Sequence, residues 1–186
     1  MGYNVLQIMA IAEHPYYGSY GYQVSNFFAP SSRFGTPDDL KQLIRTAHAN
    51  GIAVVMDLVH AHYVANTTEG LNMIDGDENL YSPKESENIH PYWKTKLFDY
   101  SDINVQRFLL SNIRYWMEEY HIDGFRFDGV TSMIYKHHGY VDDFGTYDNY
   151  FGKCVNEDAI TYLTLANDLI HSLRPDAVTI AEEVSG

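Results

Sequence analysis

Four short segments of the chain are apolar at nearly every position, and three longer segments repeat apolar residues at helical spacing. The strand-like segments are NVLQIMAIA (4–12), IAVVMDLV (52–59), GFRFDGV (124–130) and AVTIAE (177–182). Runs that are apolar on both faces, without alternation, are typical of parallel strands covered on both sides. Helices are predicted from Thr36 to just before Gly51, over 105–120 and over 163–173.

The order of these elements is strand, loop, helix, repeated three times and followed by a last strand. Such βαβ units have right-handed crossovers, so the carboxyl ends of all the strands and the long loops that follow them (13–35, 61–101 and 131–156) gather on one side. The predicted class is therefore α/β, with parallel strands alternating with helices and no second domain.

Four strands do not close a (β/α)8 barrel, which needs eight strands and typically about 250 residues. The chain is thus either an open four-stranded sheet or a portion of a larger barrel. An apolar parallel strand at the edge, with nothing to cover it, would promote aggregation. We therefore favour part of a (β/α)8 TIM barrel.

Composition narrows the choice of partners. The 186 residues include 25 acidic and 12 basic side chains, a formal charge of −13 that repels nucleic acid and anionic membrane surfaces. The single cysteine, Cys154, cannot form an internal disulfide, and neither a signal peptide nor a membrane-spanning run is evident. A cytoplasmic or plastid protein is expected. The 16 tyrosines suit sugar ligands, although packing in cores and loops is the favoured explanation for composition alone.

Three carboxylates lie at or near the ends of consecutive predicted strands: Asp57, Asp128 and Glu182. An ionised carboxylate in an enclosed position needs a partner, and Arg126, two residues before Asp128, lies on the same face of its strand. We predict that Arg126 keeps Asp128 ionised; an ordinary ion pair at a sheet edge is the alternative. Two neighbouring carboxylates are the catalytic groups that a retaining glycosidase or transglycosylase requires. In this chain Asp128 would be the nucleophile and Glu182 the acid/base.

Two histidines two residues apart suggest a metal site. If His60 and His62 lay in a strand they would face the same way and could share an ion. No cysteine or third histidine follows at a useful spacing. We expect neither a metal nor another cofactor.

Three stretches resemble conserved regions of a known superfamily. DLVHAH (57–62), GFRFDGVTS (124–132) and IAEEVSG (180–186) are similar to the regions that end barrel strands three, four and five in the α-amylase superfamily. Longer blocks, such as YNVLQIMAIAEHPYYGSYGYQV (3–24), resemble the eukaryotic glucan branching enzyme family. The likeness runs over nearly the whole chain and implies that residues 1–186 form about strands two to five of a catalytic barrel.

The resemblance also implies an activity: cleavage of an α-1,4-glucosidic bond and formation of an α-1,6 branch by retaining double displacement. Asp128 matches the nucleophile and Glu182 the acid/base of the family. The matching substrate-binding residues are Tyr22, Asp57, His62 and Arg126. The expected partner is an α-glucan such as glycogen, amylose or amylopectin.

Two departures from amylases change the expected site. Ala61 stands where amylases often have a calcium-ligating asparagine, so that calcium site is not expected. Thr131 and Ser132 stand where a lysine and a histidine often follow the nucleophile, which alters the acceptor side of the cleft.

The family's third catalytic carboxylate has no counterpart in these residues, so we expect the remainder of an enzyme chain elsewhere and an isolated segment that is inactive. Three other functions stay open: an α-1,4-glucan hydrolase, a non-catalytic glucan-binding protein and an unrelated carboxylate-lined binding module.

Overall fold

The computed structural model describes residues 2–84, 88–140 and 144–184, which form strands and helices in alternation. Ser185 and Gly186, the end of the IAEEVSG stretch, lie outside the described residues. The strands are β1 (Val5–Ile8), β2 (Ala12–Glu13), β3 (Asn26–Pro30), β4 (Ala53–Leu58), β5 (His62–Tyr63), β6 (Lys96–Leu97), β7 (Gly124–Phe127) and β8 (Val178–Ala181). The α-helices are α1 (Pro37–Ala49), α2 (Ile103–Tyr120), α3 (Val130–Ile134), α4 (Tyr147–Phe151) and α5 (Glu157–Leu173).

The central sheet is parallel, in the order β1, β4, β7, β8. Its strands are consecutive along the chain apart from short additions in the loops, and α1, α2 and α5 connect them. The predicted alternation of parallel strands and helices is therefore confirmed. Within the described ranges, no helix is long and apolar enough to cross a membrane.

Side-chain caps define where the three long helices begin. Thr36 and Asp39 form a capping box at α1, each side chain accepting a hydrogen bond from the other residue's backbone N–H. Asp102 accepts from the backbone of the first turn of α2, and Asn156 does so for α5. Such caps satisfy N–H groups that have no partner inside the helix. The cap at Asn156 starts α5 at Glu157, one to two turns before the predicted start at residue 163.

The first predicted strand, 4–12, is divided in the structure. Residues 5–8 pair with β4 in the main sheet, whereas Ala12 and Glu13 form β2, which runs antiparallel to β3 in a separate two-stranded sheet. The apolar run continues through the break although Val5 and Leu6 of β1 are exposed, so its composition does not reveal the change of direction. The predicted long loops likewise contain short elements, including the antiparallel pair β5 and β6.

The hydrophobic core lies between the central sheet and helices α2 and α5. Side chains of β4 and β7 on the helical side are almost fully buried: Val54, Met56, Leu58, Phe125 and Phe127. They pack with equally buried residues that include Leu109, Ile113, Trp116, Tyr162, Ala166 and Ile170. The core thus fixes the positions of the strands relative to one another.

Strand register determines which polar side chains meet on the other face of the sheet. Asp57 pairs with Arg126 across β4 and β7, and Phe127 pairs with Ala181 across β7 and β8. Asp128 and Glu182 each follow that second pair and are therefore level with each other. Asp57 is level with Arg126, one residue before the end of β4, and not with the other two carboxylates as the sequence suggested.

Gly21 allows the loop before Tyr22 to approach the chain after β1. Its φ is +95°, and a Cβ atom placed on it would lie 1.8 Å from the carbonyl oxygen of Ala10. Gly51, after α1, has φ +71° but no heavy atom within 4 Å of such a Cβ. An added side chain would therefore meet both a backbone clash and conformational strain at Gly21, but only conformational strain at Gly51.

We predict that Gly21→Ala lowers stability much more than Gly51→Ala does. The left-handed conformation alone costs an L-residue about 1–2 kcal/mol, and the clash at Gly21 adds about 1–3 kcal/mol more. Thermal unfolding of the two variants checks this. Equal decreases in Tm would contradict the close approach to Ala10.

Candidate active site

The guanidinium group of Arg126 contacts three carboxylates at the carboxyl end of the sheet. Its NH1 atom lies 2.8 Å from Oδ2 of Asp57 and 3.4 Å from Oδ1 of Asp128, and its NH2 atom lies 3.0 Å from Oε1 of Glu182. The Arg126 side chain is only 20% exposed. The three acidic residues predicted from the strand ends are thus brought together on one arginine.

Asp57 is the most buried of the three and has the most hydrogen bonds. Besides Arg126, it accepts hydrogen bonds from Nε2 of Gln7 and from the hydroxyl of Tyr22, both at 2.7 Å. Gln7 comes from β1 and Tyr22 from the loop before β3. Asp57 therefore connects strands β1 and β7 of the central sheet to the loop that carries Tyr22.

Asp128 and Glu182 interact directly as well as through Arg126. Burial, followed by the charge of Glu182, raises the pKa of Asp128 from 3.8 to about 7, although Arg126 acts in the opposite direction. The prediction that Arg126 keeps Asp128 ionised needs correction, because a guanidinium shared among three carboxylates does not outweigh burial and a second carboxylate.

Backbone hydrogen bonds fix the positions of these two residues at the strand ends. The N–H of Asp128 donates to the carbonyl of Leu58, and the N–H of Glu182 donates to the carbonyl of Phe127. The N–H of Gly129 donates to Oε2 of Glu182 at 2.8 Å. The second oxygen of Glu182 thus points towards the end of β7.

A cavity of about 330 Å³ opens above the carboxylates. Its lining residues are Ser19, Tyr22, Gln23, His62, Trp93, Thr95, Asp128 and Glu182. A larger cavity of about 500 Å³ lies elsewhere, between β1, β3 and α1, but its lining is mainly apolar and its one carboxylate, Asp39, caps α1. Chemistry on a polar substrate is therefore assigned to the smaller cavity.

His62 lies in β5 and lines this cavity beside Trp93, with 4.9 Å between the ring centroids. Burial, followed by the charge of His90, lowers the pKa of His62 to about 3, so the ring is neutral. Its Nδ1 atom is buried and finds no hydrogen-bond partner among the described residues. A neutral imidazole next to a cavity suits hydrogen bonding to a hydroxyl group of a ligand.

His60 is not part of the site. It follows the end of β4 and lies in the core, where Nδ1 is 2.5 Å from the hydroxyl of Tyr162 and Nε2 is 2.9 Å from Oδ1 of Asn112. The suggestion that His60 and His62 share a strand face is therefore wrong, because the strand ends at Leu58 and the chain turns between them. In the described part of the chain, no group of three or more His, Cys, Asp or Glu side chains is arranged so that it could hold a metal ion.

Several residues of the site were missed in the sequence. Trp93 and Thr95 come from the long loop before β6, where no periodic pattern marks them. Thr95 is 1% exposed, and its buried hydroxyl has no partner among the described residues. Gln7 could have been found, because it is the only polar side chain within the apolar segment 5–12.

Comparison with known proteins identifies the class. A family model described as the alpha amylase catalytic domain matches residues 1–82. The fold is that of an alpha-amylase from Geobacillus thermoleovorans, solved in complex with acarbose, with a TM-score of 0.70 and 20% identity over 99% of this chain and 37% of the amylase. The parallel sheet and its helices thus have the fold of part of a (β/α)8 barrel.

Several curated enzymes are much more similar to the chain in sequence. The chain is 56% identical to the 1,4-alpha-glucan-branching enzyme of Emericella nidulans and 57% identical to that of Equus caballus, over its whole length and 27% of each enzyme. It is 55% identical to 1,4-alpha-glucan-branching enzyme 2-2, chloroplastic/amyloplastic, of Arabidopsis thaliana, over 23% of that enzyme. The chain is similar to these 1,4-alpha-glucan-branching enzymes over its whole length and spans about a quarter of theirs.

The raised pKa of Asp128 predicts a pH-dependent gain in stability for Asp128→Asn. As pH rises through 3.8, the unfolded chain loses a proton that the folded state retains, so the carboxyl lowers stability between pH about 4 and 7 and continues to do so at higher pH. Asparagine removes this penalty. We expect Tm to rise by several degrees at pH 8, where about 1 kcal/mol corresponds to 2–4 °C, and to change little at pH 4.

The matched control is Asp176→Asn, an exposed aspartate before β8. It removes one negative charge away from the cavity and should leave Tm nearly unchanged at both pH values. A decrease in Tm for Asp128→Asn at pH 8 would contradict the raised pKa.

Proposed function

We propose that this chain is the part of a 1,4-alpha-glucan branching enzyme that carries its nucleophile and its acid/base. The reaction cleaves an α-1,4-glucosidic bond and transfers the released glucan segment to a 6-hydroxyl group, which forms an α-1,6 branch. The partner is an α-glucan such as glycogen, amylose or amylopectin. The observation that supports this most is the contact of one arginine with both Asp128 and Glu182 at the rim of a cavity.

In this proposal the pair of carboxyl groups carries out a double displacement. Asp128, as carboxylate, attacks the anomeric carbon while Glu182 donates its proton to the leaving oxygen. Glu182 then takes a proton from the 6-hydroxyl of the acceptor, whose oxygen displaces Asp128, so the configuration is retained.

The other cavity residues bind the sugar. Tyr22 offers an aromatic face whose hydroxyl is held by Asp57, and His62 offers a neutral imidazole. Arg126 orients the carboxylates, because its planar fork can contact two groups at once, which the ammonium of a lysine cannot do. Ser19 and Gln23 add polar groups near Tyr22.

We further propose that residues 1–186 correspond to about strands two to five of the catalytic barrel. The third catalytic carboxylate would then come from another part of a longer enzyme, and the isolated segment would be inactive. A cytoplasmic or plastid location is proposed because the relatives include an enzyme named as chloroplastic/amyloplastic.

The test uses the longest natural polypeptide that contains the chain, incubated with linear α-1,4-glucan. We expect new branches that isoamylase removes, without a matching rise in reducing ends. Asp128→Asn should reduce branch formation by at least about 10³-fold. The segment 1–186 alone should show none; robust branching by it would contradict the need for a longer chain.

Other outcomes identify the alternative functions. Reducing ends that rise without isoamylase-sensitive branches would indicate an α-1,4-glucan hydrolase. Binding of glucan without turnover would indicate a non-catalytic binding protein. Activity that is unchanged in Asp128→Asn would leave only an unrelated binding module.

The roles of Asp128 and Glu182 can be separated with α-glucosyl fluoride, whose leaving group needs no acid. We predict that Glu182→Gln still releases a burst of fluoride, because attack by Asp128 remains intact, while its transfer from linear glucan falls by at least about 10³-fold. Asp128→Asn should release no burst. If both variants behave alike with the fluoride, the assignment of nucleophile and acid is wrong.

A further inference from the structure

Two exposed tyrosines form an aromatic surface beside the cavity. The rings of Tyr92 and Tyr140 lie with centroids 4.4 Å apart and planes tilted by 41°. Their exposed fractions, 61% and 45%, are high for aromatic rings in mutual contact. We call this pair the tyrosine platform. It has no role in the chemistry described above.

Trp93 connects the platform to the cavity. The ring of Trp93 lines the cavity and meets the ring of Tyr140 edge to face, with centroids 6.3 Å apart. Tyr92 is the neighbouring residue in the chain. A ligand that fills the cavity and extends past Trp93 therefore reaches the two tyrosines.

The platform rests on a packed base. The ring of His90 stacks on Trp93 at 3.9 Å with planes tilted by only 8°, and its Nδ1 atom accepts the backbone N–H of Trp93 at 3.1 Å. His90 also packs against His138, whose Nδ1 atom lies 2.9 Å from the carbonyl oxygen of Ser132. The aromatic surface is therefore held before any ligand arrives, which lowers the entropy cost of binding.

The platform is on the Glu182 side of the cavity. Trp93 lies against Gly129, since a Cβ on that glycine would be 3.3 Å from Cη2 of Trp93, and the N–H of Gly129 donates to Glu182. Tyr22, in contrast, is bonded to Asp57. Burial raises the pKa of Tyr140 and the charge of Glu182 contributes to this rise, whereas the pKa of Tyr22 responds to Asp57 and Asp128.

The position of Glu182 defines which sugar would meet the platform. A group that protonates the leaving oxygen stands next to the sugar on the leaving side of the cleaved bond, and the acceptor later occupies the same side. Aromatic rings bind the apolar faces of sugar rings, and the tyrosine hydroxyls can bond to sugar hydroxyls.

We propose that Tyr92 and Tyr140 form a stacking subsite for a glucose unit of the acceptor α-glucan, continuous with the catalytic cavity through Trp93. This inference rests on the proposed function, because it uses the role of Glu182 to assign the side. It adds a specificity-determining surface contributed by two residues of the loops before β6 and after α3.

The experiment measures acceptor dependence in the longest natural polypeptide that contains the chain. The variant Tyr92→Ser/Tyr140→Ser should raise the acceptor concentration for half-maximal transfer about tenfold, since stacking on each ring is lost. Tyr92→Phe/Tyr140→Phe keeps the rings and should stay close to the wild type. Fluoride release from α-glucosyl fluoride, without glucan, should be unchanged in both.

The matched control is a second exposed aromatic pair. Tyr147 and Phe151 in α4 lie 4.7 Å apart and are 77% and 69% exposed, but neither lines the cavity. Tyr147→Ser/Phe151→Ser should leave acceptor dependence unchanged. An equal effect of the control pair, an unchanged acceptor dependence in the serine variant of the platform, or a parallel fall in fluoride release would overturn the proposal.

A direct binding measurement tests the role of the tyrosine platform even if the wild-type protein shows no transfer activity. In the Asp128→Asn background, the Kd for maltohexaose is measured by calorimetry with and without the two serine substitutions. About tenfold weaker binding with the substitutions supports the platform even though the proposed function has failed, and equal Kd values overturn it.

Discussion

The contact of one guanidinium group with three carboxylates on neighbouring strands is the constraint on which the site depends. Arg126 meets Asp57, Asp128 and Glu182 within 3.4 Å, and its side chain is largely buried. Without the arginine, the three acidic groups would repel one another in a region with little water. The register of the parallel strands brings the three carboxylates together, and the charge of the guanidinium reduces the repulsion among them.

One positive charge does not neutralise three negative ones, and the remaining imbalance is the source of the chemistry. Burial and the charge of Glu182 raise the pKa of Asp128 to about 7. In the proposed function these two carboxyl groups act as nucleophile and acid. The arrangement also makes the site a source of instability, which is typical of catalytic centres.

The sheet supplies the floor of the cavity, and loops supply its walls. Tyr22 comes from the loop before β3, and Trp93 and Thr95 come from the loop before β6. Backbone approach at Gly21 and the stacking of His90 on Trp93 hold these walls. The neutral, buried His62 and the exposed Tyr92 and Tyr140 then offer two different kinds of contact to a sugar, one by hydrogen bonding and the other by stacking.

The four parallel strands, the three long helices and the acidic residues at the strand ends could all be predicted from the residue pattern. Continuous apolar runs and helical spacing are local signals. The side chains of Arg126 and Asp128 were expected on one face because residues two apart in a strand point the same way. The pattern did not predict that Asp57 is level with Arg126, that His60 lies in the core or that Trp93 and Thr95 line the cavity. These depend on register and on loop paths, which are set by packing between residues far apart in the chain, and for that reason the local pattern could not contain them.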